Sequence, residues 1–134
     1  MRVVYAIPCR ATEAAANGTF VALGIETNMF RRRSFPETIR VPMLAKLAGQ
    51  PGELAAQHVL TMSVLGPDLT PIVPELTLGF ALAAGPNEVE GWEPVVVVPI
   101  TAEFVADGPG SFSVEVAADG NPPYSVPLRV EQLS

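Results

Sequence analysis

The chain has 134 residues, 49% of them hydrophobic and 16% charged, with eight Lys and Arg against fourteen Asp and Glu for a net charge of −6. Such an apolar, weakly charged composition excludes an intrinsically disordered chain, and 11 Gly with 14 Pro stay below the level of a low-complexity one. The acidic balance argues against nucleic acid as a partner, because nucleic-acid binding needs a basic footprint, and a lone cysteine, Cys9, excludes an intrachain disulfide.

The length predicts one domain over 1–134, with a folded surface of roughly 6,700 Å². The opening apolar run VVYAIPC is short for a secretion signal, contains Pro8 and ends at Arg10 rather than at a small-residue cleavage site. The longest apolar run elsewhere, VVVVPI at 95–100, is far too short to span a bilayer. The expectation is a soluble cytoplasmic protein with no membrane partner.

In chain order, the pattern is period-two alternation, the signature of half-buried strands. Val3, Tyr5, Ile7 and Cys9 share one side of the first run. Residues 11–17, ATEAAAN, have room for one or two turns of helix before Gly18. Over 19–29, Val21, Leu23, Ile25 and Met29 line up; over 38–47, Ile39, Val41, Met43, Ala45 and Leu47 do so. Residues 53–65 read either as a helix stacking Leu54, His58 and Met62 or as a strand from about 57; the Thr, Ser and Val content and the stop at Gly66-Pro67-Asp68 favour the strand.

Over 72–82, Ile72, Pro74, Leu76, Leu78, Phe80 and Leu82 are expected to face a core. The same holds for Phe112, Val114, Val116 and Ala118, and then for Tyr124, Val126, Leu128 and Val130. Asn17-Gly18, Asp107-Gly108 and Asp119-Gly120 supply residues that tolerate positive φ in tight turns. Pro42, Pro74, Pro99 and Pro127 lack a ladder donor and belong at edges, strand starts or bulges. Pro94 and Pro99 bracket the aggregation-prone VVVV at 95–98.

The runs VVYAIPCR, NGTFVALGIETNMF and SFPETIRVPMLAKL, followed later by DGPGSFSVEVAADG and VPLRV, resemble a family of short bacterial all-β proteins of unknown function. The resemblance covers nearly the whole chain and implies an immunoglobulin-like β-sandwich of about seven to nine strands. It implies no activity, because fold alone supplies none. The Arg31-Arg32-Arg33 run is not part of that resemblance.

Few residues carry reactive chemistry. Cys9 and His58 are each unique, and a dyad would need them within hydrogen-bond reach; both sit in phase with apolar neighbours, and Cys9 reads as a small buried hydrophobe and His58 as a strand-end or satisfied residue. No Gly-x-Ser-x-Gly elbow and no phosphate-binding Gly-rich loop is present. One His and one Cys cannot build an ordinary zinc site, and Asp68, Asp107 and Asp119 are explained by turns rather than calcium. The expectation is no catalytic residue, no metal and no cofactor.

Two segments remain as binding candidates. At 27–36, Arg31, Arg32 and Arg33 are flanked by Phe30 and Phe35, a combination suited to a protein partner or an anion. At 88–93, Glu88, Glu90 and Glu93 surround Trp92, as a small-molecule or glycan platform would require. The favoured expectation is a non-enzymatic interaction or assembly module binding a protein, or itself, through a sheet edge or the 27–36 loop. A ligand binder using Trp92, and a structural component of a phage or secretion assembly, are the alternatives.

Overall fold

Twelve consecutive residues, Glu37–Ala48, form the strand on which the others are arranged, and its alternation explains why. Ile39, Val41, Met43, Ala45 and Leu47 are fully buried, while Thr38 and Arg40 on the opposite face are exposed. In the computed structural model the residues described are 1–16, 19–81 and 91–134, the Leu54 side chain excepted. Ten strands are present among them: β1 (Arg2–Pro8), β2 (Ala11–Ala14), β3 (Phe20–Leu23), β4 (Met29–Arg32), β5 (Glu37–Ala48), β6 (Gln57–Leu65), β7 (Leu76–Ala81), β8 (Val95–Ala106), β9 (Gly110–Ala118) and β10 (Tyr124–Gln132).

A three-stranded sheet, β1-β5-β8, faces a five-stranded sheet, β4-β10-β9-β6-β7, and a small pair, β2-β3, stands by itself. All pairings are antiparallel except β10 with β4. β1 lies against β9 and β10, and β8 against β6. The core between the sheets is filled by Ile39, Val41 and Met43 from one side and Val114, Val116, Val126 and Val130 from the other. The protein is therefore all-β, with ten strands among the described residues rather than seven to nine. Among those residues no helix is long and apolar enough to cross a membrane.

Several expectations need correction. The 11–17 segment begins as strand β2 rather than helix, because Ala11–Ala14 pairs with Phe20–Leu23. The expected turn at Asn17-Gly18 lies outside the described residues. The favoured strand within 53–65 does run from Gln57, and only Glu53–Ala55 before it is helical, as a single 3-10 turn. A register shift between Val3 and Tyr5 in β1 swaps the expected faces, so that Ala6 and Pro8 are buried and Tyr5 and Ile7 only half-buried. Val21 and Leu23 of β3, Ile25 in the following turn and Met29 of β4 do alternate, but they are exposed; on the β2-β3 pair, whose strand β2 lies against β5, it is Thr12, Phe20 and Ala22 that are half-buried.

The Asp119-Gly120 expectation holds. Both residues have positive φ, 52° and 71°, and the Asn121 N–H donates to the Ala118 carbonyl at 3.0 Å, closing the tight turn between β9 and β10.

The burial pattern separates two superficially similar residues. Replacing Ile39 by Ala is expected to lower the unfolding free energy by about 2–5 kcal/mol. Leu23→Ala, on the β2-β3 pair, should change it by no more than about 0.5 kcal/mol. Urea denaturation of the two variants measures the contrast.

Candidate functional site

The sheets differ in width, and the excess strand creates the most distinctive surface of the fold. β8 lies against β6, so β7 projects beyond it on the same side of the molecule. Leu76, Leu78 and Phe80 pair with Met62, Leu60 and His58, whose side chains are buried, and therefore share their inward-pointing face. Nothing from the narrower sheet lies over the two leucines; Leu76 is 45% and Leu78 46% exposed. With Leu60 and Met62 they form the apolar floor of a cavity of about 200 Å³, walled by Pro99, Ile100 and Thr101 of β8. The sequence pattern correctly assigns these leucines to the inner face but overstates their burial, because alternation reports a face and not what covers it.

Among the described residues both strands bordering this cavity are edges. The Gly49 N–H donates to the Pro94 carbonyl, and the β5–β8 register runs unbroken from Glu37↔Ala106 to Ala48↔Val95. In an antiparallel ladder, alternate residues bond to alternate sides. Even-numbered residues of β8 thus bond to β5, and Val97, Pro99, Thr101, Glu103 and Val105 turn their backbone groups to the open side. The same logic applies to β7: the Asp119 N–H donates to Val59 and the Ile72 N–H to Val64, so even-numbered residues of β6 face β7. Thr77 and Gly79 then point outward. Among the described residues no strand pairs with either open side.

A second feature is a buried polar cluster at one end of β6. The His58 Nδ1 lies 2.7 Å from Asp119 Oδ2, and its Nε2 lies 2.5 Å from the Glu53 carbonyl oxygen. Both partners only accept, so both ring nitrogens donate and the ring is an imidazolium. The Met1 amine donates to Glu53 Oε1 at 2.7 Å and to Asp119 Oδ2 at 2.9 Å, and the Val59 N–H donates to Asp119 Oδ1 at 2.9 Å. Burial works against the His58 charge, but the hydrogen bonds to Asp119 and to the Glu53 carbonyl, with the Asp119 charge, raise its pKa above the ordinary value. Burial likewise opposes the Asp119 carboxylate; hydrogen bonds from Val59, Met1 and His58 overcome it and lower the pKa to about 2.

One ligand atom each from Glu53, His58 and Asp119 lies within 4.8 Å of the others, as a metal would require. The Met1 ammonium, however, already stands between the two carboxylates, and both imidazole nitrogens are bonded. The set is arranged as an internal ion-pair network. Sequence reasoning saw His58 as a satisfied residue and Asp119 as a turn former; their union depends on residues 61 positions apart, which no local pattern reports.

The remaining sequence candidates are dispersed. Phe30 and Phe35 pack against the core. Arg31 lies 3.7 Å from Glu131 and Arg32 4.0 Å from Glu37, with Arg32 also over the Phe30 ring. The Arg33 carbonyl accepts from Gln132. Trp92 is 73% exposed, Glu93 is paired with Arg2, and Glu88 and Glu90 lie outside the described residues. Cys9 is buried, its thiol 3.5 Å from the Pro42 carbonyl and pushed up in pKa by burial, so the thiol and the imidazole are each bonded elsewhere. Asp68 accepts from Thr70 within its own turn. A shallow bowl over the outer face of β5, with Arg10, Arg40, Thr12 and Thr101 on its lining, was not visible in the sequence.

In comparison with known families, the model of a "Family of unknown function (DUF6941)" matches residues 4–131. The chain belongs to this family. No curated protein matches it. The DUF6941 stretch contains every residue of the open side and three members of the polar cluster, whereas Met1 lies outside it.

The cluster makes stability depend on pH. A raised His58 pKa contributes stability that is complete below about 6.5, its unfolded value, and is lost as pH rises through the folded value. The lowered Asp119 pKa contributes stability above about 3.8, lost as pH falls toward about 2. The melting temperature is therefore expected to be highest between these limits and to fall on both sides. His58→Gln should flatten the neutral-to-alkaline limb and cost about 1–3 kcal/mol below it. Thermal melts of both proteins across the pH range measure this.

Proposed function

We propose that the protein is a non-enzymatic interaction module that binds a protein partner through the open side formed by β7 and β8. One observation carries this reading: two inward-facing leucines, Leu76 and Leu78, are left almost half exposed beside two sheet edges whose backbone groups have no partner among the described residues. Exposed apolar area bordered by unpaired strands is costly to leave in water and prone to association. A bound protein would cover both at once.

The rest of the molecule is consistent with this. The polar cluster satisfies itself, and the thiol is buried against a carbonyl. The 27–36 segment serves the fold through Phe30 and Phe35, and two of its arginines already have carboxylate neighbours, so it is the weaker of the two surfaces. The facing antiparallel sheets also support an immunoglobulin-like sandwich as the architecture, with the parallel β4–β10 pair as its departure.

The test compares three baits in one affinity capture from cells that make the protein: wild type, Leu76→Asp/Leu78→Asp, and Arg31→Ala/Arg32→Ala/Arg33→Ala. A protein captured by wild type and by the arginine variant, and lost by about tenfold or more from the leucine variant, is the expected result. Equal capture by all three, or loss from the arginine variant alone, would overturn the reading. Both leucines are partly exposed, so the double variant should remain folded, which a melting curve checks.

A further inference from the structure

We infer that the partner adds a single extended segment to the free edge of β8, with apolar side chains turned onto Leu76 and Leu78 and a Lys or Arg set against Glu103. This rests on the open side being the binding surface and names the shape and chemistry of what fills it.

The argument begins with the width mismatch. Neighbouring strands are about 4.8 Å apart and stacked sheets about 10 Å apart. β7 projects roughly one strand beyond β8, so the space above its leucines has room for one further strand continuing the narrower sheet. Such a strand reaches the outward N–H and C=O groups of Thr101, Glu103 and Val105. Pro99 offers a carbonyl but no N–H, so full pairing stops at Thr101.

Register then dictates the side chains. In an antiparallel pair, residues directly opposite share a face. Partner residues opposite Thr101, Glu103 and Val105 point outward, and those opposite Ala102 and Ile100 point inward, over the Leu76 and Leu78 shelf. The required pattern is strict alternation, with apolar residues on the shelf side. Opposite Glu103 the partner needs a cation. Arg40 lies directly across from Glu103 on β5, and among the described residues no ion pair joins them, so the carboxylate can also meet a cation on its open side.

A second copy of the chain fits poorly. Joining β8 to β8 would drive two projecting β7 strands into the same space beneath the junction. A lone extended segment brings no layer beneath it.

The experiment is residue-resolved amide exchange on the full chain, alone and with the peptide acetyl-Thr-Ile-Lys-Val-Thr-Val-Ser-amide or its Lys→Glu counterpart. In the free protein the amides of Thr101, Glu103 and Val105 should exchange fast, and those of Ile100, Ala102 and Phe104, bonded to β5, slowly. The Lys peptide should slow the first set by about tenfold or more, and the Glu peptide should do so markedly less. Thr101→Pro removes an outward N–H while sparing the β5 ladder; it should abolish the response without unfolding the chain.

Outward amides that are slow at every dilution would show the chain covering its own edge. Slowing that grows with protein concentration would show a second copy there. Either result, or no effect of the Lys peptide, overturns strand addition. Partner capture that depends on Leu76 and Leu78 while these amides stay fast in the complex would leave the function standing and this inference overturned.

Discussion

The unbroken antiparallel ladder between β5 and β8 is the constraint from which the other surfaces follow. Twelve residue pairs without a bulge fix two parities at once: which side chains enter the core and which backbone groups remain outside it. Odd residues of β5 and even residues of β8 are buried or face inward. Because β8 has one neighbour among the described residues, its odd residues carry both the outward side chains and the backbone groups left unpaired there. A single slip in this register would move Ile39, Val41 and Met43 to solvent. The order of the open edge is therefore held by the most buried part of the molecule.

Prolines show how backbone chemistry accommodates that ladder. Pro42 lies in a central strand, where a missing donor would normally be costly. Its carbonyl accepts from the Cys9 N–H, so its donor-less nitrogen faces β1 just past the end of that strand. Pro127 turns toward the β4 side, short of the point where β4 pairing begins at Arg129. Pro99 faces the open side. Three strand prolines thus direct their missing N–H to places where no ladder bond is lost. The sequence rule that confines proline to edges is right when applied to one side of a strand rather than to the whole strand.

The legible and illegible parts of this protein divide along physical lines. Alternation identified the buried residues of β5, β9 and β10, because those strands are long, regular and covered on one face. It failed for 19–29, where the alternating residues Val21 and Leu23 are exposed and the half-buried ones are Phe20 and Ala22. It failed in β1, where one extra residue between Val3 and Tyr5 inverts the faces. The His58–Asp119–Glu53 cluster was illegible because each member looks ordinary in its own segment and only the strand order brings them together. The arginine run drew attention as a sequence, but folding spreads its side chains and sets Glu37 and Glu131 beside two of them.

An exposed strand edge is usually a liability, and the features that blunt it here also shape what it can accept. Pro99 denies a donor near the middle of β8, which shortens any continuous pairing and protects the valine-rich stretch before it. Glu103 puts a carboxylate on the half that stays open, so an apolar strand would desolvate it where a cationic one would pair with it. β7 extends beneath the edge like a shelf: it obstructs another copy carrying the same projection but supplies apolar contact to a slim segment. Protection against promiscuous pairing and preference for one kind of partner are, on this geometry, the same set of residues acting in two directions.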